Sequence, residues 1–459
     1  MTIFNKKRIN AIFSALISFV FVSQSTAQVV TSVKHPAWSY NQSIYEVNIR
    51  QFSNEGTFKA VEQQIPRLKS MGVGIVWLMP IHPIGVKNRK GTLGSYYSVK
   101  DYLAVDPAYG TINDLKSLVQ TVHNNGMHLI IDWVANHTSW DNILTTEHPD
   151  YYKYDSSGNL AAPVKDWTDV IALNYNNAEL RRYMTDALKF WVRECDIDGY
   201  RCDVADMVPL DFWIQARKEL DEIKPVFMLA EAEKPAIHEC FDMTYSWGIF
   251  GVMKKIAAGE NNISLIRKQL LKESQTFPPD AFRMRFTENH DENSWQGSAI
   301  EKFGRSAAEM FAVFTFVIPG MPLVYNGQEA CNDKRLQFFE KDPINWDTLY
   351  ARNTMCNFDL YNKLLHLKDT NKALMNGAQG GELKEVKTDM DTTVYAFTRE
   401  KDGNKVFVVF NMSKNPVEVN LFGNEMAGRY KDLLTGHEIE FIDKANLKLD
   451  PWGYKVYTK

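Results

Sequence analysis

Six side chains fall at the ends of apolar, strand-like runs and could do chemistry together: Asp203, Glu231, Asp291, Arg201, His137 and His290. In the stretch "DGYRCDVADMV", Arg201 and Asp203 stand two apart, so on a strand they share a face and can pair. The guanidinium would hold Asp203 ionised, as a nucleophile needs. Glu231 follows the apolar run "VFMLA", where desolvation would raise a carboxyl toward the working range of a general acid. One ionised and one protonated carboxyl flanking a bond is the requirement of glycoside hydrolysis, with a separation of about 5 Å if configuration is retained. His137 and His290 would donate hydrogen bonds as charge develops. Asp198 lies in the turn-like "DIDG", and Asp206 follows the strand end with no arginine two residues away, so Asp203 is the aspartate of the stretch expected to react. Glu233 in "LAEAE" is a rival to Glu231.

The elements that must hold these groups alternate along the chain. Eight runs read as strands: "IYEVNIRQF", "GIVWLMPI", "HLIIDWV", "DGYRCDV", "PVFMLAE", "FDMTYSW", "FRMRFTENH" and "MPLVYNGQE". Several are apolar throughout, as strands covered on both faces must be. Amphipathic segments separate them. In "TINDLKSLVQTVHNNG" Leu115, Leu118, Val119 and Val122 form one stripe, with Thr111 and Asp114 as a capping box. A second stripe runs Leu180, Tyr183, Met184, Ala187, Leu188 and Trp191. The pattern predicts an α/β fold, a (β/α)8 TIM barrel over residues 36–376, whose catalytic groups would sit at the C-terminal ends of the strands. A doubly wound open sheet is the competing fold, but no Gly-rich phosphate loop follows the first strand. After "DWVANHTSW" the alternation lapses, which predicts a short subdomain inserted after strand 3, about residues 138–172. From residue 377 to 459 only short strands and turns remain, which predicts a C-terminal all-β sandwich domain.

Composition limits the partners. The 459 residues carry a net charge of -4, which gives no footprint for nucleic acid or an anionic membrane. Lys6, Lys7 and Arg8, then "AIFSALISFVFV" and "SQSTAQ", read as a signal peptide over residues 1–27, with Ser25 and Ala27 placed for cleavage before Gln28. Export to the periplasm or the medium, without membrane insertion after cleavage, is the expectation. The five cysteines (Cys195, Cys202, Cys240, Cys331 and Cys356) show no metal spacing, and most are expected as buried thiols. Trp140, Trp167 and Trp295 near motif ends are expected to offer ring faces at the barrel mouth.

The ordered conjunction resembles the α-amylase family, glycoside hydrolase family 13, over nearly the whole chain. The short regions "DWVANH", "WTDVIALNY", "GYRCDVADM", "FMLAEAE", "FTENHDEN" and "GMPLVYNGQE" occur in the family's order. The resemblance implies Asp203 as nucleophile, Glu231 as acid/base and Asp291 as transition-state stabiliser. It implies that Arg201, His137 and His290 line the glucosyl subsite and that Tyr97 stacks on the sugar there. It makes Asn136 the calcium-linked asparagine, so calcium is allowed for but not required. The implied substrate is an α-1,4-glucan or malto-oligosaccharide. A 4-α-glucanotransferase or other transglycosylase, a neopullulanase-like activity and, more remotely, a non-catalytic glucan-binding protein are the alternatives. The chain departs from the family in having Asp206 and Met207 where amylases carry a Lys-His pair, and in its short inserted subdomain.

Overall fold

The computed structural model describes residues 33–260, 262–347 and 358–459; the expected signal peptide and Cys356 lie outside them. All eight runs form strands: β1 (Ile44–Val47), β2 (Ile75–Leu78), β3 (His128–Trp133), β4 (Gly199–Cys202), β5 (Phe227–Ala230), β6 (Met243–Tyr245), β7 (Phe282–Arg285) and β8 (Met321–Tyr325). Each is hydrogen-bonded in parallel to its neighbours in sequence, and β8 closes onto β1 with Ile44 opposite Leu323. The result is a closed (β/α)8 barrel. Every strand residue except His128 is buried, which is why these runs lack the alternation of a one-sided sheet. Gly199 opens β4 at φ +148, and a Cβ there would stand 1.8 Å from the Phe227 carbonyl oxygen, so only glycine lets β4 start against β5.

The helices between the strands follow their sequence signals. Ile112–Asn124 starts at a capping box, in which Thr111 accepts from the Asp114 amide and Asp114 reaches back to Thr111. Its stripe of Leu115, Leu118, Val119 and Val122 is buried, each side chain contributing about 1.5–3 kcal/mol. Ala178–Cys195 is capped by Asn177 and buries Leu180, Met184, Ala187, Leu188 and Trp191, while Tyr183 is half-buried.

The inserted segment after β3 is closed at its neck by a two-stranded antiparallel pair, His137–Ser139 with Val170–Ala172. That pair fixes His137 directly above the end of β3. Beyond the barrel, a six-stranded and a three-stranded antiparallel sheet form the C-terminal sandwich. The period of two decides which face goes where: Phe407 and Val409 pack with Val419 and Leu421 between the sheets, while Val406, Val408 and Phe410 turn to the barrel. There Phe410 meets Phe314 edge-on at 5.6 Å. Cys195, Cys202 and Cys240 are buried. Among the described residues no helix is long and apolar enough to cross a membrane.

Candidate active site

A cleft of about 610 Å³ opens at the C-terminal ends of the strands, lined by Tyr97, His137, Asp203, Glu231 and Asp291 together with several aromatic rings. Arg201 lies beneath it. This arginine is wholly buried, and its Nη1 is 3.0 Å from both Asp132 Oδ1 and Asp203 Oδ1. Its Nη2 is 2.9 Å from Glu231 Oε2 in an ion pair, and its Nε donates to the Tyr245 hydroxyl at 3.2 Å. The expected pairing of Arg201 with Asp203 is present. Three carboxylates from β3, β4 and β5 share the one guanidinium.

That sharing changes the electrostatics expected from the sequence, in which Arg201 holds Asp203 ionised. Burial and the adjacent Glu231 charge push the Asp203 carboxyl well above its ordinary value, against the pull of Arg201. Burial raises Asp132 as well, to about 6, with Arg201 opposing it. One cation thus faces three packed carboxyls, and their crowding opposes ionisation of Asp203 and Asp132.

A second chain of contacts crosses the barrel. His290 Nδ1 lies 2.5 Å from Glu46 Oε1 of β1, and its Nε2 lies 2.7 Å from the Tyr97 hydroxyl and 3.4 Å from Asp291 Oδ2. Burial opposes a charge on His290, but Asp291 and Glu46 outweigh it and raise its pKa well above the ordinary value. The cleft walls desolvate Asp291, yet the His290 charge holds it below the usual carboxylate range. The Tyr97 hydroxyl in turn donates to Asp132 Oδ2 at 3.1 Å, joining this chain to the Arg201 cluster. His137 differs: burial pulls it down to about 4, so it is neutral, and the Asn136 amide donates to its Nδ1 at 3.2 Å. Its Nε2 is then the protonated nitrogen and stands 4.0 Å from Asp203 Oδ2.

Backbone geometry fixes the carboxylates. The Asp203 amide donates to the Trp133 carbonyl at 2.9 Å, extending the β3–β4 ladder by one residue. The next residue, Val204, turns to φ +34, a conformation that costs a β-branched residue about 1–3 kcal/mol. In that pose its amide donates to Glu231 Oε2 at 2.8 Å. Glu233 is elsewhere: Arg283 Nη2 holds it at 2.5 Å and it does not line the cleft. Asp198 sits at the opposite end of β4, accepting from Leu129 N at 2.8 Å and facing His123 Nε2 at 2.8 Å and Lys224 Nζ at 3.1 Å. Asp206 is at the rim, paired with Lys234 Nζ at 2.9 Å, and Met207 beside it is exposed.

The ring inventory departs from expectation in part. Trp167 and Trp295 line the cleft. Trp140 does not; its indole donates to the Thr168 carbonyl at 3.0 Å and braces the inserted segment. Trp247, Phe338 and Phe339 line the cleft without having been singled out by sequence, as Asp132 and Glu46 were not among the candidates. The two carboxylates had a readable signal, since each is a charge inside an apolar strand, in "HLIIDWV" and "IYEVNI". The phenylalanines had none. As for calcium, the Asn136 amide is turned onto His137, and among the described residues no group of three or more His, Cys, Asp or Glu side chains could hold a metal ion.

The model of the "Alpha amylase, catalytic domain" family matches residues 39–168 and 160–376, and that of the "Maltogenic Amylase, C-terminal domain" matches residues 383–456. A maltogenic α-amylase from Thermotoga neapolitana has a similar solved structure, with a TM-score of 0.81 and 31% identity over 91% of this chain and 98% of that one. An α-amylase from Lactobacillus plantarum gives a TM-score of 0.81 and 32% identity over 91% and 99%. An α-amylase of Haloarcula japonica is 26% identical over 84% of this chain, which spans 57% of that relative's length.

Proposed function

Because the chain belongs to the α-amylase family of glycoside hydrolases, we propose that it is an exported, retaining enzyme that cleaves α-1,4-glucosidic bonds in starch or malto-oligosaccharides. The observation that carries this reading is the pair Asp203 and Glu231, delivered by adjacent strands to two nitrogens of one buried guanidinium at the cleft floor. A double displacement needs two such carboxyls and one proton between them.

In the first step a sugar enters between Tyr97, His137 and His290. Asp203 gives up its share of the proton and attacks the anomeric carbon. Glu231 protonates the departing glycosidic oxygen, and a covalent glucosyl-enzyme forms. Arg201 then faces the newly neutral ester and the glutamate that has lost its proton, so its fixed charge meets the negative charge on either carboxyl without reorganising. In the second step Glu231 takes a proton from water, which attacks the ester and releases Asp203. Asp291, held ionised by His290, would bind ring hydroxyls and favour the oxocarbenium-like geometry. The neutral His137 offers one N–H to a sugar hydroxyl. Trp167, Trp295 and Phe338 supply ring faces for further glucosyl units. Export rests on the charged and apolar order of residues 1–27.

Proton NMR of the first product tests the mechanism: the α-anomer appears before mutarotation. An initial β-anomer from starch would sink the double displacement, and hydrolysis of cellulose or chitin in place of starch would sink the substrate assignment.

A further inference from the structure

A second groove, of about 650 Å³, lies where the barrel meets the sandwich, and none of its lining residues belongs to the catalytic cleft. Its walls are the helix Ser264–Thr276, the loop that follows it, and the linker into the sandwich from Gly377 to Leu383. Three buried arginines line it: Arg283, Arg285 and Arg399, 4%, 3% and 2% exposed.

Arg283 and Arg285 are ion-paired, Arg283 also to Glu273 at 3.8 Å with its guanidinium 3.6 Å over the Phe277 ring, whereas Arg399 is not among the described residues. Glu273 Oε2 holds Arg285 Nη2 at 2.7 Å, and Glu233 holds Arg283 Nη2 at 2.5 Å. The Nε of Arg283 is buried and has no hydrogen-bond partner among the described residues. Arg399 donates only to carbonyls, those of Gly381 at 2.9 Å, Val317 at 3.2 Å and Met375 at 3.4 Å. No carboxylate of the described residues forms an ion pair with it. Lys368, buried nearby, is likewise held by the Gly320 carbonyl at 3.0 Å and the Asn376 amide oxygen at 2.6 Å. Burial, and then the Arg285 charge, pull Arg399 below its ordinary value, and burial with the Arg399 charge does the same to Lys368. Leaving buried cations without counter-charge is costly, and guanidinium forks suit the oxygens of phosphate and carboxylate.

The groove is also too large for an inorganic anion alone and falls in the size range of small-molecule sites. Phe277, Tyr395 and Leu270 give it apolar walls. We propose that this groove binds a small organic anion, its phosphate or carboxylate group seated on Arg399 and Arg283 and its body against Phe277 and Tyr395. Such a ligand bridges barrel and sandwich, and so stabilises their joint by mass action.

Calorimetric titration of the full chain with inorganic phosphate, glucose 6-phosphate and citrate, at constant ionic strength set by sodium chloride, tests this. Saturable binding of an organic anion is the result expected, tighter than inorganic phosphate. Arg399→Gln should weaken it by about tenfold or more. Ser274→Trp, on the exposed rim, should block it by filling the groove. Hydrolysis of maltotriose should be unchanged in both variants. If Arg399→Gln does not fold, Ser274→Trp decides alone. No saturable heat up to millimolar ligand, or binding unaltered in Ser274→Trp, overturns the proposal. Phosphate binding as tight as the organic anions overturns the role of the apolar walls.

Discussion

Arg201 holds Asp203 by one terminal nitrogen at 3.0 Å and Glu231 by the other at 2.9 Å. The two carboxyls are thereby positioned by a single rigid fork whose own place is set by Asp132 and Tyr245. Members of such a unit act together, and removing one disables the rest.

Asp203→Ala should therefore lower turnover of maltotriose by about three orders of magnitude or more. Azide with an activated α-glucosyl substrate should partly restore turnover and give the β-glycosyl azide. Asp206→Ala, which breaks only the rim pair with Lys234, should stay within about tenfold of the parent on the same grounds. A dead Asp206→Ala beside an active Asp203→Ala would reverse the assignment.

Trp295 is half-exposed at the cleft, its ring centroid 5.2 Å from Phe338. A stacked ring contributes about 0.5–1.5 kcal/mol, so Trp295→Ala should raise KM for maltotriose roughly three- to tenfold. Its indole also bonds Asp291, so kcat should fall too, but by less than KM rises. Initial-rate kinetics check both; a fall in kcat at constant KM would remove Trp295 from substrate binding.

Glu273 is buried against Arg285 and Arg283, and although burial raises its carboxyl, the two guanidiniums bring it down to about 2. A carboxyl with a lowered folded pKa contributes stability that is present above its unfolded value and lost as pH falls through the folded one. The window here runs from 4.5 down to about 2 and carries about 3 kcal/mol. Urea unfolding at a series of pH values should show this loss in the parent and a flatter profile in Glu273→Gln, which is also less stable at neutral pH. Parallel profiles for the two proteins would contradict the pairing.

We propose that calcium is not obligatory, since among the described residues no group of three or more His, Cys, Asp or Glu side chains gathers where Asn136 could join it around a hard cation. A chelator should leave most of the activity and shift thermal unfolding little. Loss of activity restored by calcium alone, and not by magnesium, would overturn this.

The sequence by itself determined the barrel, the insertion after the third strand and the sandwich, because these follow from local periodicity: apolar runs covered on both faces, helical stripes between them, and a late switch to period two. It also determined the Arg201–Asp203 contact, since residues two apart on a strand must share a face. Only the tertiary structure decided what else meets Arg201. Asp132 and Glu231 arrive on neighbouring strands, and Glu46 reaches His290 from 244 residues away, because the closed barrel brings its first strand within reach of the loop after β7, with only β8 between. That closure turns a nucleophile expected to be ionised by one arginine into one member of a crowded carboxyl cluster that pushes it upward, and it places Phe338 and Phe339 in the cleft while leaving Trp140 outside. Periodicity is a property of neighbours along the chain. Charge balance and cleft shape depend on which distant neighbours the fold packs together in a medium too dry to screen them.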